Sequence, residues 1–150
     1  MTEFSSHALQ CLESAGWTKD RRIDASAIVK ELEADGFSVS PAAIDFLEKY
    51  GGLRLSYSHP RVPTAVDSSH LDAPRAADGV FPARLQVWEA RAGERMTPIG
   101  ESDREYMTIL MGASGTVYLA MDDLLLILAD SGVEAINALC DGTEPKEAVP

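Results

Sequence analysis

The chain has 150 residues, enough for one domain to bury most of its apolar surface without disulfide or metal staples. Hydrophobic residues make up 45% and charged residues 25%, ordinary for a soluble globular protein, and the longest apolar run, 124–129, is far too short to span a bilayer. The net charge of -11 argues against nucleic acid or an anionic membrane as partner, because phosphates would repel such a field; a basic partner or plain solubility remains as its use.

In chain order, residues 6–15 read as a first helix with Leu9, Leu12 and Ala15 inward and Gly16 as its stop. Trp17 follows at once and is expected to cap the hydrophobic core. After a polar turn at 19–22, Asp24 caps a second helix that carries Ile28, Val29 and Leu32 inward and ends at Gly36. The third helix has the clearest boundaries. The Ser40 hydroxyl can accept from an amide one turn on, and Pro41 takes the first helical position, where its missing N–H costs nothing. Ala43, Ile44, Phe46, Leu47 and Tyr50 form its apolar stripe, and Gly51-Gly52 ends it. The period then changes from helical to alternating, with Leu53, Leu55 and Tyr57 on one face and Arg54, Ser56 and Ser58 on the other. The double glycine therefore joins the helical part to a sheet.

Residues 59–79 are rich in Pro, Ser, Asp and Ala. Pro60, Pro63 and Pro74 forbid a central strand there, so a surface connection is expected, with one short extended piece near Leu71. A helix returns at 82–92, with Leu85, Val87 and Trp88 apolar and Gly93 as stop. Residues 96–100 read as a short strand interrupted by Pro98, which suits a sheet edge or a strand end. Residues 106–111 and 116–121 form two more strands around a hairpin loop at 112–115. The run 124–128 fits a buried strand or the start of a helix. Ser131 and Glu134 form a capping box for a last helix that presents Val133, Ile136, Ala138, Leu139 and Cys140 and stops at Gly142. Residues 143–150 have little to bury and are expected to be a disordered tail. Helices and strands arranged in blocks argue for a single α+β domain.

Residues for chemistry are present but not assembled. His59 and His70 share a segment with Asp67 and Asp72, yet their spacing matches no ligand motif, and no metal or other cofactor is expected. No serine stands in a Gly-x-Ser-x-Gly pattern, and residues 112–115 are too short to cradle a phosphate and lack a following lysine. The pair Asp122-Asp123 reads as an acidic turn between elements. The chain is therefore expected to act by binding and not as an enzyme. Residues 1–10 have no signal-peptide pattern, so a cytoplasmic location is expected, with Cys11 and Cys140 reduced and buried as small hydrophobes.

Several punctuated patterns occur in a fixed order: Gly16-Trp17 with Arg21 and Ile23-Asp24; Phe46-Leu47 with Tyr50-Gly51-Gly52-Leu53; Pro98-Ile99-Gly100-Glu101; Gly115 with Val117-Tyr118; and Glu134-Ala135-Ile136 with Gly142. In these the chain resembles the third (SUKH-3) subgroup of the SUKH superfamily of immunity proteins over residues 9–142, and the domain is expected to span 1–142. The resemblance implies helices packed around a mixed, mostly antiparallel sheet. It also implies an immunity protein that binds and blocks a cognate bacterial polymorphic toxin domain, often a nuclease or deaminase. A cytosolic interaction module without a toxin partner is the alternative that the superfamily offers. The motif residues themselves read as structural: Gly51, Gly52, Gly100 and Gly115 serve turns, and Trp17, Leu53, Ile99 and Tyr118 serve the core. Binding is expected instead at acidic and aromatic residues near loops, namely Tyr57, Asp67, Asp72, Glu101, Asp103, Glu105, Asp122 and Asp123, facing a basic toxin.

Overall fold

The computed structural model describes residues 3–58, 64–102 and 106–150. Helix α1 (Ser6–Ser14) is capped by Ser5, whose hydroxyl accepts from the Ala8 amide at 3.1 Å. Its buried side is Ala8, Cys11 and Leu12, so Leu9, expected inward, is turned toward solvent. Helix α2 (Ser26–Ala34) starts one residue later than its aspartate suggests. Asp24 accepts from the amide and the hydroxyl of Ser26, a local turn that sets up the helix, and Ala25 occupies the cap position. Helix α3 (Pro41–Tyr50) follows its sequence signals closely, with the Ser40 hydroxyl accepting from Ala43 and Pro41 in the first turn. Its two terminal glycines have different jobs. Gly52 holds φ of 84°, and Gly51 has ordinary angles but so little space that a Cβ would lie 2.5 Å from the Leu47 carbonyl oxygen.

Strand β1 (Arg54–Ser58) alternates exposed and buried as its sequence does. Strand β2 (Val66–His70) and the short helix α4 (Ala73–Asp78) fall within the stretch expected to be a surface connection. The polar β2 is a strand because β1 offers it an open ladder, from Arg54↔His70 to Ser58↔Val66. Asp72 caps α4, and Pro74 sits in its first turn, where the lost N–H had no partner to lose. His59, Pro60 and Pro63 lie outside the described residues. Helix α5 (Pro82–Ala92) ends at Gly93 in the left-handed conformation.

Four strands complete most of the sheet: β3 (Met96–Ser102), β4 (Met107–Gly112), β5 (Val117–Met121) and β6 (Leu124–Ala129), so the ambiguous run at 124 is a strand. Pro98 is not on an edge strand, since β3 lies between β2 and β4. However, the described β2 pairing reaches only Ser102 and Glu101, so Pro98 sits in the half of β3 that lacks that neighbour, beside a register shift. Helix α6 (Gly132–Asp141) follows, with the Ser131 hydroxyl accepting from the Glu134 amide and the Glu134 carboxylate accepting from Asp130, one residue before the cap. The tail expected to be disordered adds strand β7 (Glu147–Ala148) to β6. Its local sequence could not hold it; the amides of Lys146 and Val149 bond the carbonyls of Ile127 and Leu125, and Arg91 binds the last two carbonyls.

Among the described residues the seven strands lie in sequence order and every neighbouring pair is antiparallel, so the chain is the α+β domain expected, its mixed, mostly antiparallel sheet being antiparallel throughout. Strands β3 to β5 are buried on both faces, α3 packs on β3 and β4, and α1 and α6 pack on each other and on β1. The core is thus centred on the middle strands.

Candidate partner-binding face

In a sheet that meanders, every second connection returns to the same end. The register places Ser58 with Val66, Ser102 with Met107, and Met121 with Leu124 at one end of the sheet. Of the connections there, the one from β5 to β6 is a two-residue turn. Those at the other end run through α4 and α5, the 113–116 turn, and α6. The β1–β2 hairpin also overhangs. Val66 stands three residues beyond Ser69, which faces Ser102, a reach of about 10 Å at the rise of a strand.

This hairpin end collects apolar surface. Among the described residues seven large hydrophobic side chains are exposed, and four of them sit here: Val66 (74%), Tyr106 (81%), Met121 (40%) and Leu124 (43%). Tyr106 holds φ of 55°, a left-handed angle that a turn imposes and a tyrosine seldom adopts. Asp122, at φ 52°, begins the two-residue turn from β5 to β6. Helix α5 grips that turn by its backbone: the Trp88 indole donates to the Asp122 carbonyl at 2.9 Å and Arg91 to the Asp123 carbonyl at 2.7 Å. Both carboxylates are left facing solvent. Arg84 meets that of Asp123 at 3.1 Å, an exposed pair worth little.

The residues singled out from sequence fare unequally. Asp122 and Asp123 lie on this face. Asp67 is at the same end, half-buried on β2 opposite Tyr57. Asp103 and Glu105 belong to the connection between β3 and β4 and lie outside the described residues. Glu101 is drawn inward, its carboxylate 3.0 Å from Nε2 of the buried His70, and Asp72 is occupied in capping α4. Tyr57 is not available to a partner: its ring is buried on the core side of β1 and its hydroxyl meets that of Ser69 at 2.6 Å. His70 and Asp72 meet through the Asp72 amide, which donates to His70 Nδ1, so the two do not compose a metal site. Among the described residues no cluster of three metal-ligating side chains occurs.

Sequence reasoning missed Val66, Tyr106, Met121 and Leu124. Each is the first or last residue of its strand or stands one position outside it, and an apolar residue there has no strand neighbour beyond it to cover it. That position relative to the turn was the available signal.

A second surface deserves comparison. A groove of ≈ 1020 Å³ is lined by Phe4, Trp17, Tyr50 and the cations Lys19, Arg21, Arg22 and Lys49. Trp17, expected to be a core cap, is half-buried here, edge-on to Phe4 at 5.5 Å and stacked near Tyr50 at 6.2 Å. The cations are mostly committed elsewhere. Arg21 donates to the carbonyls of Lys49 and Gly51, closing the end of α3, while Arg22 and Lys49 pair with Glu48 and Asp45. The motif arginine is therefore a structural clamp, and the groove has little net charge to offer.

Among the described residues no helix is long and apolar enough to cross a membrane. A family model described as SUKH-3 immunity protein matches residues 4–142, nearly the whole of this architecture. No curated protein and no solved structure matches the chain.

Proposed function

Because the chain belongs to the SUKH-3 immunity protein family, we propose that it is a non-catalytic inhibitor that binds and neutralises a cognate bacterial polymorphic toxin domain, docking through the hairpin end of its sheet. The observation that carries the choice of face is the concentration there of four exposed large hydrophobic residues beside Asp67, Asp122 and Asp123. Exposed apolar anchors supply slow dissociation once desolvated, and a rim of like charge steers the encounter. An acidic rim fits a basic toxin, as a nuclease or deaminase acting on nucleic acid would be, and would stand in for its phosphates. The protein acts in the cytoplasm, where such a toxin must be met before it reaches its substrate.

The test is co-expression rescue with the toxin domain encoded beside this gene, paired with association kinetics across a salt series. Rescue is expected, with association slowing as salt rises because exposed charges are screened over roughly 10 Å at 0.1 M. Asp122→Asn with Asp123→Asn should lower the on-rate and flatten the salt response while leaving the unfolding midpoint in place. Failure to rescue from any neighbouring toxin would sink the immunity reading; rescue with kinetics indifferent to salt and to these substitutions would move the interface elsewhere.

A further inference from the structure

Of the exposed large hydrophobic residues that lie away from the hairpin end, two belong to α5: Phe81, 79% exposed at its cap position, and Val87, 50% exposed. At about 3.6 residues per turn, Pro82, Ala83, Gln86, Val87 and Ala90 share one side of the helix, opposite the buried Leu85 and Trp88, and all five are exposed. None of them is charged. Among the described residues each of the other helices exposes at least one charged side chain: Glu13 on α1, Lys30 on α2, Asp45 on α3, Arg75 on α4 and Asp141 on α6. The charges that α5 does carry stand at the margins of this face and are engaged. Arg84 meets Asp123, Arg91 donates to the Asp123 and Val149 carbonyls, and Glu89 accepts from the Met96 amide. We propose that this uncharged face is where two copies of the chain associate, α5 against α5, in a weak two-fold homodimer.

Charge selects the occupant. Two chains of net charge -11 repel each other, most of all where carboxylates would be brought together and stripped of water. A basic partner is drawn to those same carboxylates and gains no steering from a neutral face. The outer side of α5 is therefore where a second copy meets least repulsion and gives up no hydrated charge. A two-fold contact sets the same patch against itself, which an apolar patch tolerates and a charged one does not. Ala83 and Ala90 lie two turns apart and leave room for a second helix to approach, while Phe81 and Val87 supply the larger apolar area. One face of a helix of 11 residues offers less than the ~800 Å² per partner of a standard interface, so the dimer forms only as concentration rises. The association is independent of the toxin reading and uses a different face.

The experiment is sedimentation velocity on the native full-length protein, from low micromolar to near-millimolar concentration and at low and high salt. The expected result is a mass that doubles with concentration. The doubling should come at lower concentration in high salt, because the reach of the repulsion shortens from roughly 10 Å at 0.1 M to roughly 3 Å at 1 M. That sign is opposite to the one expected for the toxin domain, which tells the two associations apart. Val87→Glu should abolish the dimer and leave the unfolding midpoint in place, whereas Ala27→Glu, at an exposed position of α2, should leave the dimer intact. Hydrogen exchange on the unsubstituted protein, at the two ends of the concentration range, should show protection gained at residues 82–92, and it locates the contact even where Val87→Glu fails to fold. A monomer at every concentration and salt, a dimer that salt weakens, a dimer that survives Val87→Glu, or protection gained on another element would each overturn the proposal. So would protection of α5 gained only when the toxin domain is added, which would assign the face to the toxin.

Discussion

At the end of the sheet where β4 turns into β5, a single carboxylate does the joining: Glu94 accepts from the Ser114 amide at 2.8 Å, from the Ser114 hydroxyl at 3.0 Å and from the Tyr118 hydroxyl. Its neighbour Glu89 accepts from the Met96 amide and holds Arg95. At the opposite end, the β5–β6 turn is gripped by its backbone carbonyls, and the Asp122 and Asp123 carboxylates are exposed, the latter in a surface pair with Arg84. The contrast shows that a net charge of -11 is not one property. Carboxylates that answer amides and hydroxyls at the helical end build the fold, and those without such duties are the ones open to a partner.

The sharpest break between the two ends is in stability. Phe46 lies beneath the first turn of α6, where its ring leaves no room for a Cβ at Gly132, and Phe46→Ala should cost about 3–5 kcal/mol in a urea titration. Trp17→Ala, at a half-buried aromatic cluster, should cost less, about 2 kcal/mol by the same measurement. Glu94→Gln leaves its donors with a poorer acceptor and should cost about 1–3 kcal/mol, read as a lower midpoint with an unchanged slope.

The same network carries a pH signature. Burial first, and then the Glu94 carboxylate, hold the Tyr118 proton well above its ordinary 10.0. Above pH 10 the unfolded chain releases that proton while the folded chain keeps it, so stability is full below this range and falls as pH rises through it. Tyr118→Phe should remove this part of the alkaline slope. Tyr106→Ala with Leu124→Ala should do the reverse of the core variants. Stability should stay within about 0.5 kcal/mol, since both side chains are exposed, while dissociation from the toxin domain quickens about tenfold or more. A large stability loss there would erase the distinction between the two ends.

Much of the local structure was legible in the chain. Ser40, Gly52, Gly93, Ser131 and Gly142 act on the turn of helix that contains them, and a cap or a left-handed angle needs no distant partner. The alternation from Leu53 to Ser58 likewise reports one buried and one open face wherever the strand is placed. The family resemblance was legible for the same reason, since its motifs are mostly such turns and caps. The candidate face was legible only in part. Asp122 and Asp123 announce a turn, but Tyr57, expected at the interface, alternates onto the buried side of β1.

What the tertiary structure alone decided is everything that depends on pairing across the chain. Val66 to His70 is polar and β7 is two residues long, and neither has a pattern of its own; each is a strand because a neighbour's open edge satisfies its backbone. The all-antiparallel order then determines that Val66, Tyr106, Met121 and Leu124 share one end, although 58 residues separate the first from the last. Capping and periodicity act over a few residues and can be read from them. Strand order and helix contact are selected by the burial of a whole core, which no short stretch contains.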